Sequence, residues 1–221
     1  MSQQQQQQQQ PNLVIFGSQS KFRRQIFNQY LKKPIASKNL QVEFMSADID
    51  EKAIRHPDPR EMVKLIARGK REEIIRQCGG VEKLKERGGA VIFTTDQVAV
   101  CANGEVREKP ENDEEARTFL RSYSGSYIST FTGYLMWNSL TEKEESFVEP
   151  TKTHFKEFDD AVIDEWLKIG DFQKAAGGFC VGHMLKHVTE IEGGQLAVEG
   201  MTPEIFMKLL TKVTATSSPA E

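Results

Sequence analysis

Cysteine is scarce in this chain: Cys78, Cys101 and Cys180 are the only three in 221 residues. An odd number of widely separated thiols is no disulfide framework, and the expectation is thiols kept reduced in the cytosol. Long apolar runs are missing as well. None reaches the length needed to span a bilayer, and the first residues show neither a signal-peptide core nor an Arg-rich transit pattern, so a cytoplasmic protein without a membrane partner is expected. A large charge excess is also lacking. The net charge of -3 and pI near 5.9 argue against binding a nucleic acid polymer, which usually needs a basic excess. Finally, no G-x-x-x-x-G-K-[ST] and no G-x-G-x-x-G follows the first apolar strand, which excludes a P-loop and a dinucleotide fingerprint.

What is present is enough apolar residue, 38%, to bury a full core. The glutamine run Gln3 to Gln10 before Pro11 predicts a disordered leader over 1–11. Fraying is expected from Thr211, with a disordered tail over 214–221. Between them, 12–213 reads as a single domain of two lobes around a cleft. The patterning predicts strands at 12–17, 41–46, 90–101, 126–139, 144–157, 185–192 and 195–199. Helices are predicted at 20–32, 59–77, 81–86, 113–122, 160–169 and 203–213, with a glycine-rich loop over 170–178. The fold class is α/β: an extended mixed sheet with flanking helices, mixed because 126–157 reads as a long hairpin turning at Leu140 to Lys143.

Chemistry concentrates in a few places. Val14-Ile15-Phe16 runs into Gly17-Ser18-Gln19-Ser20 and then Lys21, Arg23 and Arg24. Gly17 would let backbone N–H groups approach an anion, the serines offer hydroxyls and a helix cap, and the basic residues add charge at a helix start. Strand–turn–helix packing alone is the plainer reading. Asp96 interrupts an apolar strand beside Thr94, Thr95 and Gln97; a buried carboxylate must be paired, hydrogen-bonded or on a metal. The Asn103-Gly104 turn then returns Lys109-Pro110 toward Asp96, where Lys109 either neutralises phosphate or is an exposed linker lysine. Asp48, Asp50 and Glu51 group hard oxygens suited to Mg²⁺, although acidic loops are usually solvated. Lys70 falls in the apolar i+4 row Met62, Ile66, Ile74, as an anion-seeking lysine or a snorkelling one. Cys180, His183 and His187 lack the second pair that a zinc site needs.

Taken together, these segments resemble the Maf family of nucleoside triphosphate pyrophosphatases from Asn12 to about Leu210. The family's opening S-x-S-P-x-R is similar to Ser18-Gln19-Ser20-Lys21-Phe22-Arg23, its Asp-Glu to Asp50-Glu51, its helical lysine to Lys70, and its core strand and Lys-Pro to Asp96-Gln97 and Lys109-Pro110. Ser124-Gly125, Thr132-Gly133, Ala176-Gly177 and Val198-x-Gly200 resemble its later motifs. Lys21 stands where the family has proline, Gly182 where relatives carry a polar residue, and Ala175, beside Lys174, where some carry lysine.

The resemblance implies a hydrolase of phosphoanhydrides (EC 3.6.1.-) that uses Mg²⁺, Mn²⁺ or Co²⁺ to split nucleoside triphosphates into monophosphate and pyrophosphate, a house-cleaning role in nucleotide metabolism. It implies Asp96, Lys70 and Lys109 as catalytic, Glu51 and Asp96 as metal ligands, and Ser18, Ser20, Phe22, Arg23 and Gln97 as substrate-binding. Phe22 and Gln97 resemble the branch acting on 7-methylguanosine triphosphate and other modified or pyrimidine nucleotides. The alternatives are a dTTP/UTP-preferring enzyme and a nucleotide-binding regulator with little turnover. A homodimer is compatible with the resemblance.

Overall fold

The computed structural model describes residues 10–172 and 175–215. Most of the expected leader and tail, and Lys174, therefore lie outside the described residues. Pro11, assigned to the expected leader, is buried.

Seven strands form one sheet: β1 (Leu13–Gly17), β2 (Gln41–Met45), β3 (Ala90–Cys101), β4 (Val106–Arg107), β5 (Tyr127–Asn138), β6 (Glu144–Phe155) and β7 (Val188–Glu192). Their order is β2-β1-β3-β5-β6-β7, with the short β4 paired to β3. Strand β1 runs parallel to β2 and β3, whereas β3, β5, β6 and β7 pair antiparallel neighbour to neighbour, so the sheet is mixed as expected.

Alternation along the strands decides what each face carries. On one face, Val14, Phe16, Val91 and Phe93 pack under Phe206, Leu209 and Leu210 of α9 (Pro203–Thr214) and under the first helix. On the other, Ile15 and Ile92 pack against Ala67 and Ile74 of α3 (Pro59–Gln77) and Leu84 of α4 (Val81–Glu86). Helix α3 starts where the sequence says it should: the Asp58 carboxylate accepts from the Arg60 N–H at 2.8 Å, and Pro59 needs no donor there. A further core lies at the far ends of β3, β5 and β6, where Leu120, Tyr123, Phe155, Trp166 and Phe172 pack among α5 (Asp113–Arg121) and α6 (Asp160–Ile169).

The structure departs from the expected elements in four places. The first helix does not stop at Lys32. It runs as α1 (Lys21–Ile26), a π-helical turn (Phe27–Leu31) and α2 (Lys32–Ala36). The widened turn sits where Pro34 removes the N–H that an α-helix would donate to Tyr30. The strand expected from 185 begins only at Val188, after α7 (Val181–Met184) and a 3₁₀ turn. The strand expected over 195–199 is instead the helical turn α8 (Gln195–Val198), because the segment crosses a sheet face and spends its Ala197 and Val198 carbonyls on the Gln97 amide. The predicted fraying from Thr211 is also overturned. Helix α9 continues to Thr214, with Val213 buried and its carbonyl accepting from the Asn138 amide at 2.9 Å.

Candidate active site

The cleft opens where β1 ends. Gly17, its last residue, is level with Thr94 on β3, and β3 continues through Thr95, Asp96 and Gln97 with no β1 neighbour. A crevice beyond the carboxyl ends of parallel strands is the usual ligand site of such sheets. Here it is a cavity of about 960 Å³ whose walls include Ser18, Ser20, Phe22, Arg23, Glu51, Lys70, Asp96, Gln97 and Lys109. The nine residues singled out from the sequence thus line one cleft.

Strand alternation turns Thr94 and Asp96 toward α3. The Thr94 hydroxyl donates to the Ala67 carbonyl at 2.7 Å, and Asp96 Oδ1 accepts from Lys70 Nζ at 2.7 Å. Lys70 is buried in the predicted row with Met62, Ile66 and Ile74, so it points inward and does not snorkel. Its ammonium also meets Glu51 Oε1 at 2.8 Å, and one buried cation therefore gathers two carboxylates.

Charge states follow from this crowding. Burial pushes the Asp96 carboxyl above the usual aspartate range, with Glu51 adding to the rise and Lys70 opposing it. Burial pushes Glu51 the same way, but Lys70, Lys109 and Arg23 outweigh it and hold its carboxyl below the ordinary value. Lys109 thus acts on Glu51 from the opposite wall, between Glu108, whose carbonyl accepts from the Gly177 N–H at 2.8 Å, and the buried Pro110.

Of the acidic trio, only Glu51 reaches Lys70. Asp48 lines the cleft, while Asp50 caps the 3₁₀ turn Glu51–Ala53 by accepting from the Ala53 N–H at 3.2 Å. Among the described residues no group of three or more His, Cys, Asp and Glu side chains is placed to hold a metal. The pair Glu51 and Asp96 still suits Mg²⁺ or Mn²⁺, which typically takes one or two carboxylates and completes its shell with water and substrate phosphates.

The opening loop lines the cleft from Gly17 to Ser20. Gly17 is required by packing: a Cβ there would lie 2.9 Å from Thr94 Cγ2 and 3.1 Å from the Phe93 carbonyl. The Ser18 N–H is spent on the Phe16 carbonyl at 3.1 Å, and Ser18 Oγ accepts from the Ser20 N–H at 3.3 Å. Ser20 caps α1 through the Arg23 N–H. Both hydroxyls keep a proton to donate into the cleft. Arg23 turns inward, its Nε donating to the Gly200 carbonyl at 3.0 Å. Arg24 stacks on Phe44, 5.0 Å from the ring centroid, while its Nε donates to the Ser18 carbonyl at 3.4 Å.

On the opposite sheet face, the Gln97 amide donates to Thr132 Oγ1 at 2.8 Å and to the Ala197 and Val198 carbonyls, which leaves its Oε1 as the group available to a ligand. His183 lines the cleft, whereas His187 lies between Phe158 and Trp166, so the two do not form a metal pair.

Two features escaped the sequence. Asp171 reaches back to the opening loop, its Oδ1 2.6 Å from Lys21 Nζ. Tyr134 donates to Glu149 Oε2 at 2.6 Å and accepts from the Thr202 N–H at 3.0 Å, tying down the turn that carries Gly200. Neither has a local signal, since each joins residues far apart in the chain.

The Maf-like protein family model matches residues 13–213. The chain belongs to the Maf family. Among its Maf relatives, a protein of Dictyostelium discoideum named 7-methyl-GTP pyrophosphatase is 31% identical over 203 residues, covering 91% of this chain and 97% of its own length. One of the same name from Idiomarina loihiensis is 31% identical over 166 residues, 75% of this chain and 76% of its own. A dTTP/UTP pyrophosphatase of Pyrococcus furiosus is 27% identical over 203 residues, 89% and 93% respectively. Of the Maf motif residues quoted from the sequence, Ser18, Ser20, Arg23, Glu51, Lys70, Asp96, Gln97, Lys109, Ala176 and Val198 fall on the walls of one cleft.

Proposed function

We propose that this chain is a nucleoside triphosphate pyrophosphatase, hydrolysing the α–β phosphoanhydride of 7-methylguanosine triphosphate and related modified or pyrimidine nucleotides to monophosphate and pyrophosphate. The observation that carries this reading is the buried Asp96 held by Lys70 beside Glu51, with Arg23 and Lys109 on the same cleft. The named activities of the Dictyostelium and Pyrococcus relatives support it and frame the choice of base.

In this reading Arg23, Lys70 and Lys109 neutralise the triphosphate, and the Ser18 and Ser20 hydroxyls donate to its oxygens. Lys70 exchanges a carboxylate for a phosphate oxygen as substrate enters. Asp96 orients a water toward the α-phosphorus and accepts its proton. The new bond joins that water oxygen to the α-phosphorus, and the bond that breaks releases pyrophosphate. A divalent cation held by Glu51 and Asp96 would supply charge stabilisation to the phosphates. Phe22 supplies one wall for the base. It is partly buried against the core that includes Tyr123, Phe179 and Val198, and it lines the cleft.

Phosphate release after added inorganic pyrophosphatase, over a panel of nucleotides with Mg²⁺ or Mn²⁺, tests the proposal. Turnover of 7-methylguanosine triphosphate above dTTP and UTP is expected. Preference for dTTP and UTP would favour the activity named for the Pyrococcus relative. Binding without turnover would leave a nucleotide sensor and overturn the enzymatic reading.

A further inference from the structure

Lys21 stands where the family's opening motif has proline, and its ammonium has a defined place. Lys21 Nζ lies over the Phe22 ring, 5.2 Å from the centroid, and is held there by Asp171 Oδ1 at 2.6 Å. Asp171 is itself anchored across the rim, with His183 Nε2 3.5 Å from its other oxygen. The contact therefore joins the first turn of α1 to a segment 150 residues away.

We propose that Lys21 is a specificity-determining residue that disfavours positively charged bases relative to neutral ones of the same shape. The inference rests on the reading that Phe22 walls the base pocket. A cation is attracted to an aromatic face by the ring's negative quadrupole. With Lys21 already engaged on the ring, a cationic N7-methylated purine on the same face must displace the ammonium from its Asp171-held position. On the opposite face it meets a ring whose negative potential is already drawn toward Lys21. A neutral base of the same shape displaces the ammonium at the same steric cost, so what separates the two is the repulsion between cations and the weakened ring potential, which only a charged base incurs. Asp171 offsets the far field of Lys21 but also fixes the ammonium at the ring.

Because Lys21 would also attract any triphosphate, the test compares two substrates with the same triphosphate. These are 7-methylguanosine triphosphate and its neutral isostere, 7-methyl-7-deazaguanosine triphosphate, at mildly acidic pH where the former base is fully cationic. Lys21→Met and Lys21→Pro should each raise the kcat/KM ratio of the cationic over the neutral substrate about threefold, the scale of a surface cation–π contact. Lys21→Arg, which keeps the charge, should leave the ratio where wild type has it. Proline at the first helical position and methionine at this half-exposed site are both compatible with the fold. An unchanged ratio in Lys21→Met, or an equal rise in Lys21→Arg, overturns the proposal. If wild type binds both nucleotides in calorimetry without hydrolysing them, the ratio of dissociation constants replaces the kinetic ratio. If it binds neither, the nucleotide reading itself falls and takes this inference with it.

Discussion

Lys70 Nζ and Asp96 Oδ1 meet at 2.7 Å inside the fold, and the same ammonium holds Glu51 Oε1 at 2.8 Å. A buried pair of this kind couples stability to chemistry. Lys70→Ala strips the buried Asp96 of its nearest cation and is expected to cost about 3 kcal/mol of stability together with most turnover. Adding Asp96→Asn to that variant should restore much of the stability and none of the activity. Urea denaturation of the single and double variants, beside nucleotide turnover, checks this. Asp96→Asn alone should retain less than about a tenth of the wild-type rate while melting near wild type.

The turn carrying Gly200 sets where Arg23 sits. Tyr134→Phe leaves the Thr202 N–H and the Glu149 carboxylate short of a partner, at a cost of about 1–3 kcal/mol. Through the Gly200 carbonyl it also loosens Arg23. Steady-state kinetics should show KM for the triphosphate rising more than kcat falls. A lower melting temperature with unchanged KM would leave the network a purely structural part.

Gly182, where relatives carry a polar residue, lines the cleft with open space around the position of a side chain. Gly182→Gln should therefore fold at least as well as wild type, since glutamine is the better helix former. By adding a hydrogen-bonding group to the pocket it should also narrow the range of bases accepted in the nucleotide panel. Unaltered selectivity would place the base elsewhere.

Gly133 faces Asp96 across β3 and β5, and a Cβ there would fall 2.8 Å from the Val63 carbonyl of α3. The obstacle is backbone, which cannot rotate aside. Gly133→Ala should cost about 1–3 kcal/mol by pushing α3 off the sheet. Because Lys70 rides on α3, activity per folded molecule should fall as well, which denaturation curves and turnover together would show.

The cysteines supply a pH prediction. Burial pushes the Cys180 thiol up to about 12, and with smaller effect raises Cys78 and Cys101. Thiolate is the reactive form, so a raised value means less of it at any given pH below that value. Alkylation of the folded protein should stay slow through mildly alkaline pH and become fast only on unfolding, as mass spectrometry of iodoacetamide-treated samples would report. Rapid labelling of Cys180 in the native state would contradict its burial.

Much of this molecule was legible in the order of its residues. The apolar i+4 row marks α3 over 59–77, and an apolar run broken only at Thr94 to Gln97 marks β3 over 90–101. Local periodicity and capping chemistry are properties of neighbouring residues and need no knowledge of the fold. The same row put Lys70 on the apolar side but left it either anion-seeking or snorkelling, and the Maf-like motifs named residues that line the cleft. The sequence did not determine which groups those residues touch. Lys70 and Asp96 are 26 positions apart, Gln97 and Ala197 are 100, and Lys21 and Asp171 are 150. Those partners meet only because β3 overruns β1 and opens the cleft, while α8 crosses the sheet face where a strand was expected. Strand order and crossing paths are decided by burial summed over the whole chain, which is why a short stretch read by itself could not show that Gly17 is also closely packed against β3, or that Arg24 lies over Phe44 while Arg23 turns to Gly200.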